Sequence, residues 1–355
     1  MKSTAGVTTI AIDLAKDVFQ LALADASWRI VRGLRLKRAE FLAFWANHAM
    51  VHVVMEACGS AHHFGRWLRA MGHRVTLLPA QYVRPYVRRN KTDKADCAAL
   101  LEALRASDIK PVPIKTEHQQ VIQLMHRSRQ QWQHDRTARI NLARGILREF
   151  GVVVPEGAER GLKVMSAQLA NDQLDPNVRK LLKTILDEID GFEQKVIQLD
   201  RSLAALSESD PVLEKLESVP GVGWVTATAL RASVGDIHRF KDARTLSSWI
   251  GFTPKETSSG SSRILGGMSK RGDVYVRTLL IQGARSVLAA ARRKQQSGKP
   301  LDALRQWALD LADRRGFNKA AVGLANKLAR IIWATWKHDR EFNGDHNLKH
   351  ATATA

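Results

Sequence analysis

Residues 7–16 read Val7-Thr8-Thr9-Ile10-Ala11-Ile12-Asp13-Leu14-Ala15-Lys16. The β-branched run over 7–12 predicts a strand, because branching at Cβ restricts χ1 and packs well on a pleated surface. The run ends on an aspartate, and a carboxylate in an apolar strand is costly to bury unless a cation or a metal compensates it. Strand-like content continues over 18–24 and 28–36, with a turn near Asp25. Three strands in quick succession predict an antiparallel meander. Residues 38–49 then carry Phe41, Leu42 and Trp45 on what a helix would make one face. A buried-strand pattern over 51–55 stops at Glu56. A helix over 61–71 is closed by Gly72, and a further strand over 74–78 ends before Pro79. Thr92 is placed to N-cap a helix over 93–106.

Meander, helix, strand, helix, strand, helix is the order of a ribonuclease-H-like sheet, so residues 1–115 are expected to form an α/β domain. Four carboxylates stand at its informative places. Asp13 ends the first strand and Glu56 ends the fourth, in Val-Val-Met-Glu-Ala-Cys-Gly. Asp93 and Asp96, in Asn-Lys-Thr-Asp-Lys-Ala-Asp, are spaced to share one face of a helix. Each alone has an ordinary explanation as a turn residue or a solvated helix start. Converging together they make a set of hard oxygen ligands suited to Mg²⁺, and two such ions can clamp the attacking and leaving oxygens of a phosphodiester. Arg84, Arg88, Arg89, Lys91 and Lys94, with Tyr82 and Tyr86 interleaved, fit a surface that tracks phosphates beside that centre, or else a solvated charged face.

Residues 116–208 have another character. Two long helices are predicted over 118–150 and 177–206, joined by a glycine- and proline-containing link at 151–161. The second has apolar residues at Leu181, Leu182, Ile185, Ile189, Phe192, Val196 and Leu199, as in a coiled-coil arm or an ordinary helical hairpin. Residues 209–342 read as mostly helical, and 343–355 as a polar tail. In this third region, Pro220-Gly221-Val222-Gly223 between two helical stretches has the pattern of a helix-hairpin-helix, whose Gly221 and Gly223 would let backbone amides approach a phosphate. Farther on, a Ser/Gly-rich loop over 258–267 lies among Arg263, Lys270 and Arg271. It can cradle phosphate, and any of Ser258, Ser259, Ser261 or Ser262 could act as a nucleophile.

The chain has 355 residues and a formal net charge of +20. Between residues 257 and 340 stand 17 Lys or Arg against 5 Asp, which concentrates the excess and favours a nucleic-acid partner over a merely soluble basic surface. At 45% hydrophobic residues, disorder is excluded for most of the chain. Cys58 and Cys97 are too few for a disulfide scaffold, and Cys58 is expected to pack beneath the acidic site. The twelve His show no metal-ligand spacing. The longest uncharged apolar stretch, residues 41–55, is shorter than the ~20 residues of a membrane span. No signal peptide is apparent, so a soluble, cytoplasmic protein with no membrane partner is expected. Trp307, Trp333 and Trp336 are expected in the core.

In this order, Ile-Asp-Leu-Ala-Lys, Glu-Ala-Cys-Gly, Asn-Lys-Thr-Asp-Lys-Ala-Asp, Pro-Gly-Val-Gly, Gly-Phe-Thr-Pro and Ser-Gly-Ser-Ser resemble the motifs of the DEDD-type insertion-sequence transposases. That family is described as bridge-RNA-guided recombinases and is related to the pilin-gene invertases. The resemblance runs from about Thr8 to Lys337. It implies a RuvC-like N-terminal domain, a coiled-coil insertion and a C-terminal transposase domain. It implies that Asp13, Glu56, Asp93 and Asp96 form a Mg²⁺-binding tetrad, and that a catalytic serine falls at Ser259, next to Ser258. The expected partners are donor and target DNA, a noncoding guide (bridge) RNA, and further copies of the chain, as a homodimer that assembles to a tetramer. Glu-Ala-Cys-Gly departs from the commoner Glu-Ala-Thr-Gly without touching the acid. Two competing readings are a metal-dependent nuclease of the Holliday-junction-resolvase kind, which needs no serine, and a non-catalytic nucleic-acid-binding protein.

Overall fold

The computed structural model describes residues 6–46, 48–87, 92–208 and 210–344. They divide into two compact units, the first running to His118 and the second from Gln119 onward. In the first, β1 (Val7–Asp13), β2 (Val18–Asp25) and β3 (Ile30–Lys37) form the expected meander. Then follow α1 (Arg38–Ala46), β4 (His52–Glu56), α2 (Ala61–Ala70), β5 (Arg74–Leu78), the short α3 (Ala80–Val83) and α4 (Asp93–Arg105). The sheet order is β3-β2-β1-β4-β5, with β4 and β5 parallel to β1. This is the order expected of a ribonuclease-H-like sheet, and the unit is a mixed α/β domain consistent with a RuvC-like one.

Period-two alternation sorts the strands into two faces. Ile10, Ile12, Phe19, Leu21, Val53 and Met55 point to the side of α1 and α2. There Phe19 stacks on Phe41 with ring centroids 4.2 Å apart, and Phe64 meets both edge-on. The opposite face carries Ala11, Ala22, Ala24 and Val54, against Cys97, Ala99 and Leu100 of α4. Small residues on that face let α4 lie close to the strands. The exposed edge strand β3 carries Arg32, Arg35 and Lys37, charges that discourage edge-to-edge pairing.

Three details differ from the sequence reading. Strand β3 starts at Ile30, because Trp28 sits in the turn with φ +64°. Helix α1 stops at Ala46. Leu42 is 43% exposed while Phe41 and Trp45 are buried, since one residue along a helix is about 100° around it.

The second unit opens with α5 (Glu117–Glu149, which starts just before the division), α6 (Ala158–Ala167) and α7 (Pro176–Glu208). Helix α6 begins within the link read at 151–161 and runs past it. Helices α5 and α7 run antiparallel. Arg129 Nε donates to Asp200 Oδ1 at 2.5 Å, Arg136 pairs with Glu193 at 3.1 Å, and Arg139 pairs with Glu188, so partner numbers fall along α7 as they rise along α5. Between them Leu182, Ile185 and Ile189 join Ile140, Ala143 and Leu147 in one apolar cluster, whereas Leu181 stays exposed.

The larger apolar core belongs to α8 (Pro211–Glu217), α9 (Trp224–Val234), α10 (Ala243–Ile250), α11 (Val274–Gln296), α12 (Ala303–Arg315) and α13 (Phe317–Lys337). Trp336 is buried in it, with Trp307 and Trp333 packed against it. A two-stranded ribbon, β6 (Pro254–Glu256) and β7 (Leu265–Met268), interrupts the helices. The stretch read as a loop is therefore the outer end of a β-hairpin.

A polar node joins α5 to α9 and α11. His126 is 3% exposed, with Nδ1 3.1 Å from the Tyr275 hydroxyl and Nε2 3.0 Å from Thr228 Oγ1. Burial pushes its pKa down to about 4, so the imidazole is neutral in the fold. An unfolded His titrates near 6.5, so the unfolded chain binds the extra proton first. Stability from this residue is complete above pH 6.5 and is lost as pH falls toward 4. By pH 5 the loss should be about 2 kcal/mol. Urea unfolding at pH 7.5 and pH 5 checks this. His126→Gln should flatten the pH dependence, and an unchanged slope would contradict a buried neutral imidazole.

Candidate active site

Strand register builds the acidic site. Ile12 of β1 pairs with Met55 of β4, and the next step in each strand is Asp13 and Glu56. Adjacent strands lie about 4.8 Å apart, so the two carboxylates leave neighbouring backbones. By alternation both share the face of Ala11 and Val54, the one covered by α4. Asp13, Glu56 and Asp96 line one cavity of about 650 Å³, together with Gln81, Arg84 and Leu100. Thr92 starts α4 in the expected way, its Oγ1 accepting from Ala95 N–H at 3.2 Å. Asp93 stands one turn before Asp96, exposed, and is not among the residues lining the cavity.

The donor set is all carboxylate, which fits a hard divalent cation. Among the described residues, no three His, Cys, Asp or Glu side chains stand close enough to share an ion as they are arranged here. Arg84 supplies a cation at the same cavity; Arg88, Arg89 and Lys91 lie outside the described residues.

Beneath this site sits Cys97 rather than Cys58. Cys58 packs with the cluster on the α1/α2 side. The buried Cys97 thiol donates to Gln20 O at 3.2 Å, and burial pushes its pKa up to about 12, so it is an inert packing group under the acids.

In the second unit the serines stand on the ribbon. Ser259 and Ser262 exchange backbone hydrogen bonds of 3.1 and 3.0 Å around Gly260, whose φ is +58°. Residues 254–267 are exposed throughout. Ser258 Oγ donates to Glu256 Oε1 at 2.8 Å, and Arg263 Nε donates to the same oxygen at 3.2 Å. These bonds hold the Glu256 carboxyl below its ordinary range, with the Ser258 bond foremost. Among the described residues the Ser259 hydroxyl has no hydrogen-bond partner. The sequence reading missed Glu256, although its position two residues before Ser258 is the available signal.

The ribbon's base is closely packed. Lys270 N–H bonds Gly251 O at 3.2 Å, with Lys270 itself at φ +55°. Gly251 and Gly272 have positive φ, and a Cβ on either would fall 2.2 Å or 2.0 Å from a backbone oxygen, Arg271 O and Trp249 O respectively. Buried Arg277 donates to Ile250 O at 2.9 Å. Lys270 and Arg271 are exposed at this base.

Helices α8 and α9 flank the Pro-Gly-Val-Gly turn as expected. Its two glycines differ in surroundings. Gly221, at φ +79°, lies against Gly283 of α11, where a Cβ would meet Gly283 O at 2.7 Å. Gly223 is exposed at the start of α9, and a Cβ there would meet nothing within 4 Å.

No helix among the described residues is long and apolar enough to cross a membrane. Comparison with known proteins finds matches over residues of both units. Residues 10–152 match the DEDD_Tnp_IS110 transposase family, and residues 213–299 match the Transposase IS116/IS110/IS902 family. The chain is 38% identical over 335 residues to the transposase for insertion sequence element IS1111A of Coxiella burnetii, covering 94% of this chain and 90% of the relative. It is 38% identical over 331 residues to a probable family 20 transposase of Pseudomonas aeruginosa, covering 92% and 96%. A pilin gene-inverting protein of Moraxella bovis is 23% identical over 271 residues, covering 72% and 74%. Such coverage spans both the acidic unit and the serine ribbon, and the chain belongs to the IS110 family of insertion-sequence transposases, mobile-element enzymes that cut and rejoin DNA.

Proposed function

We propose that this transposase exchanges DNA strands through a covalent phosphoserine intermediate at Ser259, with Asp13, Glu56, Asp93 and Asp96 as the acidic tetrad and a guide RNA choosing the sites. The observation that carries the acidic half is the placement of Asp13 and Glu56 at the ends of neighbouring strands, lining a cavity that Asp96 also lines. The serine half rests on an exposed hydroxyl at the turn of a ribbon with a closely packed base, while Ser258 is engaged by Glu256. The family implies a divalent metal; bound by the tetrad, Mg²⁺ would supply Lewis-acid stabilisation of charge on the phosphate.

In this reading Ser259 Oγ attacks the phosphorus and loses its proton. The P–O bond to the leaving strand breaks, and that strand departs as a hydroxyl after taking up a proton. The serine–phosphate ester keeps the bond energy, so the incoming hydroxyl of another strand reverses the step without a nucleotide triphosphate. Arg263, held by Glu256 on the same ribbon, would offer charge-assisted hydrogen bonds to the phosphate. Lys270, Arg271 and Arg84 would contact the backbone, as would the amide end of α9 at Gly223. The guide RNA would be read by shape and backbone while base pairing selects DNA. A homodimer on RNA and a tetramer at synapsis follow from the family resemblance.

The test is recombination of paired DNA sites with the element's RNA and Mg²⁺, with denaturing gels to trap protein–DNA adducts. Ser259→Ala should abolish both product and adduct. Ser258→Ala should keep the adduct and lose no more than about tenfold in rate, the scale of one hydrogen bond. Full activity of Ser259→Ala would rule out the phosphoserine.

A further inference from the structure

We propose that the C-terminal end of α13 carries a binding site for an unpaired nucleotide, its phosphate held by Lys327, Arg330 and Arg340 and its base laid on an apolar floor. The site is a cavity of about 630 Å³, within the range of small-ligand sites. Leu304, Ile331, Ala334 and Phe342 supply apolar lining, and the three cations share it.

The cavity has a built wall. After α13 the chain turns back through Asp339, at φ +51°. Lys215 Nζ pairs with Asp339 Oδ1 at 2.5 Å, and Phe342 N–H donates to Ser218 Oγ at 3.0 Å. These two ties hold the returning segment against α8 and close one side of the site.

The polar lining is mainly cationic, with Glu341 the one carboxylate beside Lys327, Arg330 and Arg340. Among the described residues none of the three cations is paired with a carboxylate. Lys327 is steered instead by an aromatic ring, its Nζ lying 4.2 Å from the centroid of Trp307. Burial, and then the charge of Arg330, pushes the Lys327 ammonium below its ordinary pKa. An anion would relieve both effects. Thr335 is 3% exposed and lines the cavity, yet its hydroxyl makes no hydrogen bond among the described residues. A phosphate oxygen or base edge in the cavity would give this hydroxyl a partner.

Cations alone would suit any phosphate. The apolar floor narrows the class. A duplex turns its phosphates outward and keeps its bases stacked inside, so it would leave the floor unused. An unpaired nucleotide presents a phosphate and a bare base face together. The source is then single-stranded RNA or a single-stranded DNA segment. The site needs neither the tetrad nor the serine, so Ser259→Ala should bind like the parent.

The test uses the full chain with short fluorescein-labelled oligothymidylate and oligouridylate, read by anisotropy across salt. Variants are Arg330→Gln/Arg340→Gln, both exposed positions, and Thr335→Val. Losing two phosphate contacts should weaken binding at least about tenfold at low salt and reduce the log–log salt slope by about 1.4. Thr335→Val should weaken it severalfold with the slope kept. Photocrosslinks from 5-iodouracil should map to the peptides of Phe342 or Trp307, and whichever strand binds more tightly is the source. Binding of the double variant within twofold of the parent would overturn the site. So would crosslinks found only elsewhere, or equal competition by a duplex of the same length.

Discussion

Gly283→Ala is expected to destabilise the protein by about 3 kcal/mol or more. The direction is the reverse of the usual rule, by which alanine in place of an interior helix glycine gains up to about 1 kcal/mol. A Cβ at Gly283 would lie 2.0 Å from Gly221 O, and a Cβ at Gly221 would lie 2.7 Å from Gly283 O. Both partners are backbone, so no side chain can swing aside. Gly221 also holds φ +79°, which leaves little freedom to retreat. Gly145→Ala in α5 and Gly191→Ala in α7 are the controls, because a Cβ at either meets nothing within 4 Å. They should hold or raise stability. Urea unfolding of the three variants makes the comparison. Equal stability of Gly283→Ala and the parent would show that α11 and the Gly221 turn part freely at this point.

Asp13→Asn is expected to lower DNA strand exchange about 10³-fold or more, while DNA binding and the thermal midpoint stay near those of the parent. Asparagine keeps the shape of the side chain and removes the charge that a divalent cation needs. A metal at a phosphoryl centre contributes several kcal/mol, and each 1.36 kcal/mol is tenfold in rate. Position adds to the expectation, since Asp13 and Glu56 end neighbouring strands and line the same cavity as Asp96. The measurement is the exchange rate on paired DNA sites against Mg²⁺ concentration. A variant that keeps more than a tenth of the parent rate would remove Asp13 from the catalytic set.

Much of the first unit was legible because its signals are local. The β-branched run ending at Asp13, the stop at Glu56 and the Thr92 cap each declare an element boundary within a few residues, and the five strands appear in the expected order. The two long helices α5 and α7 were legible in the sequence, the second from its apolar spacing, but their antiparallel pairing was not, since the spacing suits a coiled-coil arm and an ordinary hairpin alike. Helix α6 was not, because its glycine- and proline-bearing approach reads as a break.

Other features depend on residues far apart in the chain. Ser258–Gly267 reads as a flexible loop, since serine and glycine carry no strand pattern. What makes it a ribbon is backbone pairing of Pro254 with Met268 and the seating of Gly251 and Gly272 against Arg271 and Trp249. Cys58 looked closer to the acids than Cys97 because it is two residues from Glu56. Strand β4 ends at Glu56, and the turn that follows carries Cys58 to the opposite cluster, while helix α4 brings Cys97 to the face of Asp13 from the far side of the sequence.

By itself, then, the sequence singled out the candidate groups: acids at strand ends and a helix start, serines between glycines, and a basic C-terminal third. Residue type and local period suffice for that, because strand ends and helix caps are short-range properties. Only the tertiary structure decided which of these groups share a cavity, which serine hydroxyl is already engaged, and which glycine lies in close backbone contact. Those outcomes turn on the face a strand presents and on the approach of two backbones, and both are set by packing between segments that the linear order keeps apart.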